Sequence, residues 1–366
     1  MSIRVAFDAT VAQLGRAGPA VYITSLRGAL EPLLGDRLEI LASRWAAPRG
    51  ARRTLGDRAR TVARDLWWHQ AGVIRAARRA GCGLLHLPAG LGPVRSAFPI
   101  VVTVHDLIVR RFPQLFPLWH RTYTRAVLPR LALAARRVIA VSEATKRDLV
   151  ELVGVPEERV VVIPNGVHPA MAPVLADSAR ARDVRRRYGL PERFALTVGA
   201  IEPRKNLTRL FDAAARVRAR PEARDLVLMH AGPAGWLAPD VARAAGGHVR
   251  FLGYVPPEDL ATLYGLARCC AYPSLWEGFG LPVVEAMACG CPVLTSGVSA
   301  MPEVAGDAAL LVDPTSTDEI AATLARLWTD DALRASLARR GLQRAREFSW
   351  ERAARETVAV YDAALA

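Results

Sequence analysis

Two short stretches concentrate residue types able to do chemistry. In Tyr272-Pro-Ser-Leu-Trp-Glu277-Gly-Phe-Gly280-Leu-Pro282-Val-Val-Glu285, two carboxylates stand with seven residues between them, and in Glu202-Pro-Arg204-Lys205-Asn206-Leu207 two cations are adjacent. Paired carboxylates suit acid–base work or the binding of hydroxyls, and adjacent cations suit a diphosphate. Gly278 and Gly280 bracket a loop, and Pro282 fits the first turn of a following helix, where its missing N–H is no loss. Backbone N–H groups at such a helix start form a cradle for an anion or a hydroxyl. Asn206 is placed to cap the helix that Leu207 begins.

Of the 49 basic residues only Lys146 and Lys205 are lysine. A compact ammonium retained beside Arg204 in so arginine-rich a chain favours phosphate binding there. The plainer alternative is a solvated helix start, where cations are mildly unfavourable. A third position is His105, followed by Asp106, at the end of the apolar run 100–104. A histidine at a strand end is either a packed structural group or a ligand contact. Asp106 could orient it, although neighbours on a strand point to opposite sides. Cys82, Cys269, Cys270, Cys289 and Cys291 include no CxxC pair, so neither a zinc site nor a disulfide framework is expected.

The elements that must hold these groups follow from hydrophobic periodicity. Short apolar runs alternate with longer amphipathic ones, the pattern of βαβ units on a parallel sheet. Strands are expected at 3–7, 38–41, 84–87, 100–104, 138–141 and 160–163, and again at 195–198, 226–230, 249–252, 270–273, 292–294 and 309–312. Helices are expected at 207–220, 257–267 and 318–328. Pro164-Asn165-Gly166 and the basic stretch 180–187 read as a turn and a linker between two doubly wound α/β domains. Ligands in such sheets bind at the carboxyl ends of strands, so a cleft between facing domains is the expected site.

Charge is uneven along the 366 residues. Residues 1–170 hold 25 basic and 12 acidic side chains, net +13, whereas residues 171–366 are net +1. Residues 44–79 contribute ten Arg, two Asp and Trp45, Trp67 and Trp68, a composition suited to an anionic membrane surface or to a solvated helix face. No nucleic-acid recognition motif accompanies it, so no nucleic-acid partner is expected. No apolar run reaches the roughly 18 residues of a membrane span, and the amino terminus lacks a signal-peptide core, so a cytoplasmic protein is expected, possible peripheral membrane contact aside.

The carboxylate stretch with its Gly-Phe-Gly-Leu-Pro, and Glu-Pro-Arg-Lys-Asn-Leu at 202–207, resemble the retaining nucleotide-sugar glycosyltransferases of family four, which have the GT-B fold. Further matching stretches are Phe251-Leu-Gly-Tyr-Val, Val-Val-Val-Ile-Pro-Asn-Gly at 160–166, Val141-Ser-Glu-Ala-Thr-Lys-Arg-Asp-Leu149 and Phe348-Ser-Trp-Glu351. The resemblance implies an acceptor domain at 1–170, a donor domain at 171–347 and a last helix, 348–366, crossing back to the first domain. It implies that Arg204 and Lys205 hold the donor diphosphate, that Glu285 binds the ribose hydroxyls, and that Glu277 with Gly278, Phe279 and Gly280 contacts the transferred sugar. His105 would hydrogen-bond that sugar. The loop 13–22, including Gly18, would approach phosphate and acceptor, with Pro19 a departure from the usual run. No metal or other cofactor is expected, the cations stabilising the leaving diphosphate instead.

Residues 102–107 and 299–307 resemble mannosyltransferases of bacterial polysaccharide and O-antigen pathways. They point to a hexose moved from GDP-mannose to a saccharide or lipid-linked acceptor, with UDP-glucose as the alternative donor. A glycoside hydrolase or phosphorylase would need its two carboxylates about 5 Å apart across the bond. One in a loop and one inside the next helix fit that poorly. A non-catalytic nucleotide-sugar binder is the remaining alternative.

Overall fold

The computed structural model describes residues 3–13, 18–43, 61, 63–116, 118–233, 241 and 245–366. The chain divides into two units, one formed by residues 1–166 and 349–366, the other by residues 167–348. Each is built on a six-stranded, all-parallel sheet.

In the first unit the strands are β1 (Val5–Asp8), β2 (Leu38–Leu41), β3 (Leu84–Leu87), β4 (Ile100–Val104), β5 (Arg137–Ala140) and β6 (Val160–Val162), in the order β2-β1-β3-β4-β5-β6. In the second they are β7 (Ala195–Val198), β8 (Leu228–Ala231), β9 (Val249–Gly253), β10 (Cys269–Tyr272), β11 (Val293–Ser296) and β12 (Ala309–Val312), in the order β12-β11-β10-β7-β8-β9. Each expected strand is present with its ends shifted by no more than two residues. They are readable because central parallel strands are covered on both faces, which demands an apolar run without alternation. All five residues of β4 and all four of β10 and of β11 are buried.

Chain order reverses between β7 and β10, which are neighbours although three strands apart in sequence. Such a switch point leaves a crevice at the carboxyl ends of the two strands, because their following helices depart to opposite faces. In the first unit the equivalent reversal falls between β1 and β3. There Val102, Val104, Leu128, Leu131 and Val138 share an apolar core with Val73 and Ala77. The helix Trp350–Leu365 is capped by Ser349, whose hydroxyl accepts the Arg352 amide at 3.1 Å, and packs on the helix Gly18–Leu34.

The basic stretch 180–187 is not a linker. Ser178 caps a ten-residue helix, Ala179–Tyr188, whose Arg180, Arg187 and Tyr188 all converge on the buried carboxylate of Asp259 at 3.2, 2.6 and 2.9 Å. The arginine run resembles exposed linker because its buried counter-charge lies more than seventy positions away. The five cysteines are free and buried, filling the cores as small apolar groups. Among the described residues no helix is long and apolar enough to cross a membrane.

Candidate active site

The carboxyl ends of β7 and β10 bring the two chemical stretches together. After β7 the chain turns through Pro203–Lys205 into the helix Leu207–Arg218, and after β10 it loops through Glu277 into the helix Leu281–Ala288, with Pro282 in its first turn. The Leu275 amide donates to the Arg204 carbonyl at 2.8 Å, joining the two loops directly.

Glu277 is the hub. Its Oε2 accepts from Arg204 at 2.5 Å, and its Oε1 accepts from Lys205 Nζ at 2.7 Å and from the Tyr272 hydroxyl at 2.8 Å. Lys205 also donates to the Tyr272 hydroxyl, and Arg204 Nε donates to Glu202 at 2.8 Å. Burial alone would raise the Glu277 carboxyl, but the Arg204 and Lys205 charges and the two hydrogen bonds outweigh it and hold it at about 2. Burial, then repulsion from Arg204, pulls the Lys205 ammonium below its ordinary value, with Glu277 opposing. Two cations are therefore balanced by two carboxylates, Glu277 and Glu202. With each oxygen already bound to a donor, Glu277 is neither a free nucleophile nor a proton donor at neutral pH. Those are the roles that the hydrolase alternative needs.

Glu285 lies one turn inside the helix Leu281–Ala288, half-buried, and accepts from the Tyr264 hydroxyl at 3.3 Å. Burial raises its carboxyl to about 7, against the Tyr264 bond and the Lys205 charge. Two glutamates, one in the loop and one in the helix it leads into, thus differ by several pH units in where they ionise. The difference is set by who touches them. Gly280, at φ 93°, is the residue before that helix, and among the described residues no acceptor takes the N–H groups of Phe279, Gly280 or Leu281. Phe279 is buried against Phe348, ring edge to face at 5.5 Å.

Asn206 does not cap its helix. Its backbone is left-handed, φ 59°, and its side-chain amide donates to the carbonyls of Pro273, at 3.0 Å, and Pro314, at 2.6 Å. It ties the β7 loop to the ends of β10 and β12, a long-range task that local spacing does not reveal. Tyr272 escapes a sequence reading of the site because it reads as the last apolar residue of a buried strand. Ser299, which binds the backbone of Glu277, carries no distinguishing sequence signal beyond its place in a matching stretch.

In the first unit His105 follows β4, and its Nε2 lies 2.8 Å from the Pro88 carbonyl after β3. That contact assigns the ring proton to Nε2. Burial lowers the ring's proton affinity to about 4, against the Pro88 bond, so His105 is neutral at pH 7 and its Nδ1 is an acceptor. Asp106 has its own task, accepting the Ile108 amide at 3.1 Å. Tyr22 sits edge-on to His105, centroids 4.8 Å apart, and its hydroxyl lies 3.1 Å from Thr103 Oγ1. Thr103 in turn meets His86 at 2.9 Å, and His86 meets the Tyr361 hydroxyl at 2.6 Å. This buried chain runs from the last helix to the Tyr22 ring.

Gly18 is the first residue of the helix Gly18–Leu34 rather than part of a loop. Residues 14–17 of the expected phosphate loop lie outside the described residues. The Arg and Trp stretch 44–79 lies outside them from 44 to 60. Its later part forms a wide-turned helix, Arg64–Gly72, with Trp67 exposed, followed by the helix Val73–Arg79. Among the described residues no group of three His, Cys, Asp or Glu side chains is arranged for a metal ion.

Two parallel doubly wound units, the second with charged groups gathered at its switch point, are the architecture of GT-B glycosyltransferases. Residues 182–344 match the family described as "Glycosyl transferases group 1", and residues 16–170 match "Glycosyltransferase Family 4". The chain is 35% identical over 267 residues to O-antigen chain mannosyltransferase B of Escherichia coli, covering 71% of this chain and 69% of that protein. It is 32% identical over 316 residues to the MMP alpha-(1->4)-mannosyltransferase of Mycolicibacterium hassiacum, covering 81% of this chain and 74% of that protein. The crystal structure of HepE from Anabaena in complex with UDP and glucose superposes with a TM-score of 0.73 at 20% identity, covering 99% of this chain and all of that one. The chain belongs to the group 1, or family 4, glycosyltransferases.

Proposed function

We propose that this glycosyltransferase moves mannose from GDP-mannose to a hydroxyl of a saccharide or lipid-linked acceptor, with retention and an α product. The observation that carries the reading is the Arg204–Lys205–Glu277 cluster at the β7/β10 switch point, two cations placed where a parallel sheet presents ligands. The names of the two curated relatives favour mannose, and one of them specifies an α linkage. The UDP and glucose in the HepE complex keep UDP-glucose as the alternative donor.

In this reading the second unit binds the donor and the first the acceptor. The bond between the anomeric carbon and the diphosphate oxygen breaks while the acceptor oxygen attacks the same face, and its proton passes to the departing phosphate. Arg204 and Lys205 offset the negative charge that grows on that leaving group, without a metal. Ionised Glu277 offsets the positive charge on the sugar. Neutral His105 accepts a hydrogen bond from a sugar hydroxyl at Nδ1, and Glu285 accepts the ribose hydroxyls. The basic residues of 44–79 would draw the acceptor domain to an anionic membrane surface.

Incubation with each donor and a lipid-diphosphate saccharide acceptor, with product identification by mass spectrometry, tests the donor. Mannosyl transfer from GDP-mannose is expected. Turnover of UDP-glucose with GDP-mannose inert would transfer the reading to the alternative.

A pH dependence follows from Glu285. Its carboxyl, near 7, must be ionised to accept two ribose hydroxyls, so donor affinity rises as pH increases through that value. Between pH 6 and pH 8 the gain is about tenfold for a single group of this kind. GDP-mannose carries its diphosphate esterified at both ends and does not itself titrate there. Calorimetry should show the slope in the wild type and a flat, weaker profile in Glu285→Gln; a flat wild-type profile would remove Glu285 from the ribose site.

A further inference from the structure

We infer that Ser299 is the positioning residue of Glu277 and thereby sets how the transferred sugar is presented; this rests on the reading that Glu277 faces that sugar. Among the described residues, Asn206 and Ser299 are the non-glycine residues with left-handed backbone, at φ 59° and 60°. Both adjoin the cation–carboxylate cluster. A serine in this region crowds its Cβ against the carbonyl oxygen, so the conformation persists only where the surroundings enforce it.

The surroundings of Ser299 are specific. Its Oγ accepts the Glu277 amide at 3.0 Å, donates to the Glu277 carbonyl, and accepts the Ala300 amide at 2.6 Å. One side-chain oxygen therefore holds both backbone polar groups of Glu277. The two loops leave adjacent strands, with Tyr272 of β10 in register with Thr295 of β11, and Thr295 Oγ1 already donates to the Tyr272 carbonyl at 3.0 Å.

Met301, two residues beyond Ser299, braces the other end of the same loop. A Cβ added to Gly280, which has φ 93°, would overlap Met301 Cε. The segment after β11 thus secures the 277–280 loop at both ends. The Glu277 carboxylate is held by Arg204, Lys205 and Tyr272, and its main chain by Ser299. Ser299 makes both contacts from left-handed backbone. Its three bonds go to Glu277 and Ala300, so Ser299 acts on the sugar end of the donor through Glu277.

Three substitutions separate positioning from stability. Ser299→Ala removes Oγ and keeps the strain, Ser299→Gly removes Oγ and relieves the strain, and Ser299→Thr keeps Oγ with more strain. With saturating GDP-mannose, kcat of the Ala and Gly variants is expected to fall about 10–100-fold, as for a misplaced reacting group. Their affinity for GDP, which lacks the sugar, should stay within about twofold of wild type. Ser299→Thr should retain more turnover than Ser299→Gly at equal folded fraction, even where its melting temperature is lower. Wild-type turnover in Ser299→Gly, activities that follow melting temperature across the three variants, or GDP affinity falling in step with kcat would each overturn the inference. Glu277→Gln is the control on the underlying reading: full transfer in that variant removes Glu277 from the sugar site whatever the serine variants do.

Discussion

Glu277→Gln should lose both turnover and stability. The carboxylate accepts from Arg204, Lys205 and Tyr272 in a nearly buried setting, and the amide can satisfy only part of that demand. Its NH2 would face a cation. Breaking one partner of a buried ion pair costs about 3–5 kcal/mol because the remaining charge is left uncompensated. Arg204 keeps some solvent contact and its Glu202 partner, so the lower end, about 3 kcal/mol, is expected. Transfer at saturating donor should fall by about 10²–10³-fold, the scale for removing one preorganised group aimed at charge developing in a transition state. Thermal unfolding and single-turnover transfer report the two losses separately. Near-wild-type transfer would exclude Glu277 from the chemistry. The same pairing predicts an acid response: a carboxyl held at about 2 stabilises the fold above the ordinary carboxylate range, and that contribution is lost as pH falls from there toward 2.

Lys205→Met should separate the two properties that Glu277→Gln loses together. Methionine has nearly the length of lysine and can take the place of its buried stem beside Gly199, where a Cβ added to the glycine would lie 3.2 Å from Lys205 Cε. The substitution also removes the desolvation that lowers the ammonium's proton affinity. Glu277 keeps Arg204 and Tyr272, so its charge remains compensated. Removing one partner of a buried ion pair costs most where the other charge is left uncompensated, and here Arg204 still pairs with Glu277, so the loss is smaller than in Glu277→Gln. The melting temperature should therefore fall less than in Glu277→Gln, while transfer falls by about 10²–10³-fold and GDP affinity weakens. Lys205→Arg is not a conservative rescue, because a planar guanidinium needs more room than the Gly199 and Tyr272 walls leave. Unchanged GDP affinity and turnover in Lys205→Met would show that the ammonium serves only to neutralise Glu277.

The contrast between these variants marks where sequence reading stops. That Arg204, Lys205, Glu277 and Glu285 belong to one site is legible, because each stretch follows a buried strand and both strands lie in one domain. That the cations are paired to Glu277 is not legible: the contacts span more than seventy positions and depend on β7 and β10 being neighbours. Asn206 reads as a cap because residue type and place suit one. The left-handed backbone and the carbonyls of Pro273 and Pro314 give it a different task. The arginines of 180–187 resemble linker for the same reason, their partner Asp259 being remote in the chain.

The sequence by itself determined the elements and the identities of the reactive groups, since burial on both faces of a parallel sheet writes apolar runs into the chain and glycine and proline punctuate them. Tertiary structure decided the electrostatic state of each group. Glu277 and Glu285 are the same residue type eight positions apart, one in a loop and one in the helix after it, yet one is ionised far below neutrality and the other near 7. Desolvation raises both, and only the placement of Arg204, Lys205 and Tyr272 around one of them reverses the sign. The left-handed Ser299 that fixes this carboxylate's backbone likewise follows from two loops meeting in space. Spacing along a chain specifies which groups are available, and folding specifies which of them touch.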